Sequence, residues 1–338
     1  MSDTHEAATA TPEVTVVVVT WQQRDLTLAA LESLAAQTIP HTVLLVDNAS
    51  TDGTAAAVAE HHPDVELLRL DTNTGFAGGM TAALDRVDTR YLAILNNDAR
   101  AEPDWLAESV HVLEAHPDVA AVTSKLLLDD GSEHERVNNA GVVLLDSGYG
   151  ADRGLGDADD ERYAEPAEVF GFSGGAAVLR TLAVKAVGGF DPSLFMYYED
   201  TDLSWRLRLA DWRILYSPSA VVHHRHAASS DPASQMFAFH TERNRLLVLA
   251  RHAPLTYAAR RAGRFLLTTA SLAAKRAAGR DLPQDHVFDP ALRLRVLADV
   301  ARRLPRTVAG RARAPHADRR AAVARRWSGR DHDELGEE

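Results

Sequence analysis

The chain has 338 residues, 46% hydrophobic and 25% charged, which excludes a disordered or fibrous protein and fits one large α/β domain with an appendage, or two domains. It has no cysteine, which excludes disulfides, thiolate zinc sites and a cysteine nucleophile, and fits a reducing compartment. The net charge of −12 is uneven: residues 1–240 carry 15 Lys+Arg against 37 Asp+Glu, and residues 241–338 carry 21 against 11.

Residues 1–13 are polar and acidic with no apolar centre, and predict a disordered N-terminus rather than a secretory signal. The longest apolar stretch, Phe265 to Ala274, is too short to span a membrane. Val14 to Thr20 is a β-branched run, expected to be a strand buried on both faces. Leu28, Leu31 and Leu34 then mark a helix over 25–36. Strands follow at 43–46, 65–70, 91–95 and 119–123, with helices at about 54–61, after a glycine-rich turn at 75–79 to about 87, and at 103–116. This alternation predicts a doubly wound parallel sheet with ligands at the carboxyl ends of its strands. Beyond residue 125 the rhythm breaks. Gly148 to Glu161 reads as a mobile surface loop, 175–180 as a strand, 199–210 as a helix and 213–224 as two short strands. Residues 233–327 read as helices with turns at Pro254, Gly279, Pro283 and Pro305.

Four clusters in this frame can carry chemistry. Asp47 ends the second strand, where a carboxylate can accept an N–H from a nucleobase imide. Asp98, in Asn96-Asn97-Asp98, ends the fourth strand, where a cation on a diphosphate could sit. Glu199, Asp200 and Asp202 open a helix behind the aromatic run Phe195-Met196-Tyr197-Tyr198. Acids there complement the helix dipole, and a desolvated one is a stronger general base. His223 and His224 close the last strand and must face opposite ways. The glycine-rich Asn73 to Gly79 lacks dinucleotide-fingerprint spacing, and no Walker loop, nucleophile elbow or zinc-protease motif occurs.

In order and spacing, these motifs resemble the inverting glycosyltransferases of family two, with the GT-A fold, and within them the rhamnosyltransferase branch of bacterial surface polysaccharide synthesis. The resemblance runs from Val14 to about Ser229, with an echo in Glu242-Arg243-Asn244-Arg245. It implies a Rossmann-like, mainly parallel sheet with a helical C-terminal extension. It implies nucleotide contacts from Thr20, Asp47, Asn73, Gly75 and Asp98, and a divalent cation, Mg²⁺ or Mn²⁺, on Asp98 and His224. Asp200 would be the general base with Glu199 beside it, and Ser173, Gly174, Gly175 and Trp205 would line the acceptor and sugar pocket. Asn96 stands where many relatives have the first acid of Asp-x-Asp, Trp21-Gln22 where Tyr-Asn is usual, and Thr81 where Asn is frequent.

The implied organisation is a disordered 1–13, a nucleotide-sugar-binding half at 14–125, an acceptor-binding and catalytic half at 126–232, a basic helical extension at 233–330 and an acidic tail at 331–338. The implied activity transfers a sugar, with rhamnose from dTDP-rhamnose as the best match, to a glycan or a polyprenyl-diphosphate-linked acceptor. Two alternatives are a soluble transferase acting on a small molecule or protein, and a non-catalytic nucleotide-sugar-binding subunit. The basic helices suggest an anionic membrane surface and a cytoplasmic protein at its inner face. Nothing suggests nucleic acid, since no aromatic interleaving accompanies the arginines. All donor-side motifs precede residue 250, which predicts a nucleotide site that survives loss of the tail.

Overall fold

A computed structural model describes residues 12–132, 134–225, 233–313 and 316–329. The acidic tail, His226, Ser229 and all but the last two residues of the predicted disordered N-terminus lie outside the described residues.

The elements run β1 (Val14–Thr20), α1 (Arg24–Ala35), β2 (His41–Asp47), α2 (Thr54–His61), β3 (Glu66–Arg69), α3 (Gly75–Leu84), β4 (Tyr91–Asn96), β5 (Ala99–Ala101), α4 (Trp105–Ala115) and β6 (Val119–Leu128). They continue through β7 (Val137–Asn139), β8 (Val142–Leu144), β9 (Gly150–Asp152), β10 (Ala167–Glu168), β11 (Ala176–Arg180), α5 (Thr181–Ala186), α6 (Glu199–Leu209) and β12 (Arg213–His224). Among the described residues, four α-helices follow: α7 (Gln235–His252), α8 (Leu255–Ala277), α9 (Pro290–Arg313) and α10 (Arg320–Trp327).

One sheet has the order β10–β12–β6–β11–β4–β1–β2–β3, with β5 on β12 and β7 on β6. The pairs β4–β1, β1–β2, β2–β3 and β6–β12 are parallel, and β11 runs antiparallel between β4 and β6. The carboxyl ends of β1, β2, β4, β6 and β12 therefore share one edge. All of β1 is buried because both faces are covered. Val17 and Val19 pack with Met80 of α3 and Leu203 of α6, while Val16 and Val18 pack with Leu31 of α1 and Trp105 of α4. This is the α/β architecture that the alternation predicts.

Four local expectations are corrected. Gly148 to Glu161 is pinned: β9 pairs with β8, Asp157 O accepts from Val137 N (2.8 Å), and buried Arg153 lies over the Tyr163 and Tyr216 rings. Its anchors are backbone bonds and ring contacts, which leave no apolar periodicity to see. Residues 213–224 form one strand, whose register shifts between Ser217 and Val221, around Pro218. Pro305 lies inside α9 rather than at a turn. Asn97 and Asp98 turn the chain into β5, a three-residue strand too short for a periodic signal.

The C-terminal helices share a core with the sheet domain. Val248 and Leu249 of α7 and Trp327 of α10 pack with Phe170, Tyr198 and Trp205. His252 Nε2 bonds Asp202 of α6 (2.7 Å), and the Arg208 guanidinium lies 4.3 Å from the centre of the Trp327 ring. A cut after residue 250 removes the His252 and Trp327 contacts, which brace α6, and leaves those of Val248 and Leu249.

Candidate active site

The carboxyl edge gathers residues from all along the chain. β1 ends there at Thr20, β2 at Asp47, β4 just before Asp98, and β12 at His224. The segment Ser173–Gly175 joins this edge to α6: Gly175 O accepts from Asn96 N (2.9 Å), and Gly174 N donates to Asp200 Oδ2 (3.0 Å). A Cβ on Gly175 would lie 2.8 Å from Leu126 Cδ2, so glycine lets the segment sit against the sheet. Ser173 is buried and mostly shapes this turn, its Oγ accepting from Gly175 N (3.2 Å).

On the β2 side, Asp47 is fully buried. Its Oδ1 accepts from Ser50 N (2.8 Å), while Oδ2 has no hydrogen-bond partner and lies 3.4 Å from Arg69 Nε. An unbonded buried acceptor costs about 1–3 kcal/mol, which an incoming N–H would recover. Arg69 also donates to Ser50 O (3.0 Å). Nothing local in the sequence singles it out, because its role depends on strand pairing.

Thr20 is a correction. Its hydroxyl donates to Gln22 O (3.0 Å), pairs with Thr27 Oγ1 (2.8 Å) and accepts from Asn97 Nδ2 (3.2 Å). The side chain ties β1 to α1 and to the turn before β5, and offers no group to a nucleotide. Asn73 shapes its own turn, with Oδ1 accepting from Gly75 N (2.8 Å). Gly75 has φ +72°, and a Cβ there would fall 2.1 Å from Phe195 O. Asn48 holds this turn from below, through Nδ2 to Gly75 O (2.9 Å) and Oδ1 from Thr74 N (3.0 Å). Thr81 is also structural, donating to Ala77 O (2.7 Å) and Phe190 O (3.2 Å).

Asp98 and His224 meet because β5 pairs with β12. Asp98 Oδ1 lies 3.0 Å from His224 Nε2, while His223 turns to Glu102 (2.8 Å). His224 Nδ1 lies 2.7 Å from Asn138 Oδ1, which assigns the Nδ1 proton and points Nε2 at Asp98. A nitrogen lone pair and a carboxylate oxygen that close repel unless a proton or a metal ion lies between them. The second-sphere carbonyl on Nδ1 is the usual support of a metal-bound imidazole. Among the described residues, no cluster of three or more His, Asp, Glu or Cys could hold a metal. A two-ligand site suits Mg²⁺ or Mn²⁺, which keep places for water and phosphate oxygens.

At α6, two adjacent carboxyls differ. Asp200 is partly exposed, and its Oδ1 accepts from Thr201 N (2.5 Å) and Thr201 Oγ1 (3.2 Å), besides the Gly174 bond on Oδ2. Burial raises its pKa, against the pull of these donors. Glu199 is buried, and its Oε2 has no partner. Burial, and then the Asp200 charge, push it up to about 8. Asp202 is fully buried against Arg206 (2.7 Å), His252 (2.7 Å) and Arg251 (3.4 Å). These partners outweigh its burial and hold it far below the usual carboxylate range. It braces α6 to α7.

Trp205 is also corrected. It is 1% exposed, packed edge-on against Phe170 (5.3 Å) and stacked with His252 (6.5 Å). Five residues after Asp200, it lies about 140° around the helix, in the core.

Glu199 makes stability depend on pH. Its carboxyl ionises near 4.5 when unperturbed and near 8 in the fold. The unfolded chain therefore loses this proton first, and stability falls as pH rises from about 4.5 to about 8. Glu199→Gln should melt like wild type near pH 4.5 and roughly 3–6 °C higher at pH 8.5. A difference in melting temperature that stays constant over this range would rule out the buried carboxyl as its source.

The fold is that of the GT-A glycosyltransferases. It aligns with the crystal structure of GalNAc-T7 with UDP, GalNAc and Mn²⁺ at a TM-score of 0.60 and 14% identity, covering 90% of this chain and 58% of that one. S. aureus TarS 1–349 in complex with UDP-GlcNAc aligns at 0.55 and 17% identity, covering 93% and 91%. Within that class, the chain belongs to glycosyl transferase family 2, whose sequence model matches residues 15–187. It is 34% identical over 234 residues to the N-acetylglucosaminyl-diphospho-decaprenol L-rhamnosyltransferase of Mycobacterium tuberculosis (strain ATCC 25618 / H37Rv), spanning 60% of this chain and 72% of that protein.

Proposed function

We propose that this transferase is an inverting enzyme of bacterial cell-surface polysaccharide synthesis. It moves a sugar, rhamnose from dTDP-rhamnose, to a hydroxyl of a glycan or polyprenyl-diphosphate-linked acceptor. The observation that carries this reading is the Ser173–Gly175 segment. It bonds Asp200 at one end and Asn96 at the other, joining the carboxyl pair to the Asp98–His224 pair along the carboxyl edge of the sheet. The likeness to a rhamnosyltransferase with a decaprenyl-diphosphate acceptor supports the choice of substrates.

In this reading residues 14–125 hold the donor, 126–232 hold the acceptor and the base, and 233–330 form the helical extension. Asp47 Oδ2 accepts the imide N–H of the nucleobase. Asp98 and His224 would hold the divalent cation, which when bound neutralises charge developing on the leaving diphosphate. Asp200, oriented by Gly174 N–H, takes the proton from the acceptor hydroxyl. That oxygen bonds the anomeric carbon from the face opposite the diphosphate, the bond to the diphosphate oxygen breaks, and the configuration inverts. Glu199 stays protonated near neutral pH, so the pair carries one negative charge, on the member that has hydrogen-bond donors. Gly174 and Ser173 flank the sugar.

The acceptor's lipid supports a place at the cytoplasmic face of the membrane. No helix among the described residues is long and apolar enough to cross one. Several tail arginines are used internally: Arg293 bonds Phe265 O and Thr269, and Arg311 bonds Ala253 O. Arg260, Arg264, Lys275, Arg295 and Arg306 remain exposed beside the exposed Leu266, Leu267, Leu294 and Leu304. At ~1 kcal/mol each, five such charges supply about 5 kcal/mol on an anionic surface at low salt. The test is rhamnose transfer from dTDP-rhamnose to a GlcNAc-diphosphopolyprenol in vesicles rich in phosphatidylglycerol. Transfer and co-sedimentation should both fall steeply as salt rises, because exposed charges are screened within about 8 Å at physiological ionic strength. No transfer with any of dTDP-, UDP- or GDP-sugars would overturn the catalytic reading. Transfer without co-sedimentation at low salt would overturn the membrane part alone.

A further inference from the structure

We infer that Asn244 of α7 is a positioning residue for the Glu199–Asp200 pair, acting through the strap 194–198 that leads into α6. The inference rests on the transferase reading above. Three strap residues, Phe195 (φ 68°), Tyr197 (φ 64°) and Tyr198 (φ 71°), hold the left-handed backbone region. Bulky L-residues rarely adopt it, and such strain persists where the surroundings over-determine it.

Asn244 is the main restraint. It is fully buried, and its Nδ2 lies 3.0 Å from Leu194 O, 2.9 Å from Met196 O and 2.7 Å from Tyr197 O. Two N–H groups are thus shared among three strap carbonyls. The neighbouring Arg243 adds a bond from Nη2 to Leu194 O (2.7 Å). From the other side, Ala77 N donates to Phe195 O (3.0 Å), an approach that the missing side chain of Gly75 permits. The strap is therefore gripped between α7 and the amino end of α3. Tyr198 precedes α6 directly, and Glu199 and Asp200 are the first two residues of the helix. A relaxed strap would move the base relative to the donor, while Asn48 would still hold the Gly75 turn. A misplacement of about 1 Å can cost on the order of 100-fold in rate.

The test uses the full-length protein with Asn244→Asp, which keeps the shape but has no donor when ionised, and Asn244→Ala. The control is Thr269→Val, which removes a buried bond to Arg293 (2.9 Å) within α8 and α9. Melting temperature, nucleoside-diphosphate affinity, kcat, KM and the pH–rate profile are measured where each variant is fully folded. We expect both Asn244 variants to bind nucleoside diphosphate within about threefold of wild type and to lose about 10–100-fold in kcat, with a displaced acid limb of the pH profile. Thr269→Val should lower the melting temperature and leave kcat and the pH profile unchanged. In an Asp200→Asn background, adding Asn244→Asp should cost little more, because the positioned group is already lost. Wild-type kcat and pH profile in folded Asn244 variants would overturn the inference, as would a full multiplicative loss in the double variant. If neither Asn244 variant folds, Arg243→Met decides: a several-fold fall in kcat with unchanged nucleotide affinity supports it, and an unchanged kcat overturns it. Undiminished turnover in Asp200→Asn alone would instead sink the transferase reading at that residue.

Discussion

Asp200→Asn is expected to lower kcat by about 10²–10⁴-fold, the usual cost of losing a general base, with nucleotide affinity near wild type. The amide keeps the shape and an oxygen for the Gly174 N–H, so the loop stays in place, but it cannot take up a proton. Asp202→Asn offers the contrast. Asp202 is fully buried among Arg206, Arg251 and His252, so removing its charge takes away the counter-ion of Arg206 and one of the two acids on Arg251, the other being Asp191. Breaking such a buried arrangement costs on the order of 3–5 kcal/mol of stability. Its variant should fail in melting temperature, and the Asp200 variant in turnover. Steady-state kinetics and thermal melts on the two proteins separate the roles. Equal turnover in wild type and Asp200→Asn would exclude this carboxylate as the base.

The second large effect is expected at Asp98. Asp98→Ala should weaken Mn²⁺-dependent binding of nucleoside diphosphate by roughly 100-fold or more, and EDTA should do the same to wild type. His224→Ala should weaken it less, and Asn138→Ala by about 10–100-fold through the lost support on Nδ1. His223→Ala should have little effect, because that ring faces Glu102. Asn96→Asp should tighten Mn²⁺ binding, since position 96 lies 3.4 Å from His224 Nε2 and would gain a charged ligand. Calorimetric titration of nucleoside diphosphate with and without Mn²⁺ measures all five. Identical losses for the two histidine variants would contradict the register of β12 as the selector of the ligand.

Much of this protein is legible in one dimension because the signals are local. A β-branched run such as Val14 to Thr20 has one economical fate, a strand covered on both faces, and short links between such strands and helices leave a doubly wound sheet. Asp47 and Asp98 then stand at strand ends, and the acids of 199–202 open a helix, because chain order alone gives those positions. Side-chain partners are not local, and there the sequence is silent. Thr20 stands where a nucleotide contact is expected, yet its hydroxyl is occupied by Thr27, Gln22 and Asn97. Trp205 follows the acids of 199–202 but sits on the core side of its helix. Both facts depend on what packs alongside.

The sequence by itself determined the fold class, the strand ends that carry acids and the basic character of the tail, since each follows from periodicity or charge along the chain. The tertiary structure alone decided which groups meet. Strand pairing set His224 rather than His223 against Asp98, with Asn138 behind it. Burial without a partner separated Glu199 from its neighbour Asp200. Helix packing brought Asn244 onto the strap ahead of α6, almost fifty residues away in the chain. Hydrogen bonding and desolvation act over a few ångströms in space, and a contact between segments that far apart leaves no periodic trace in either of them.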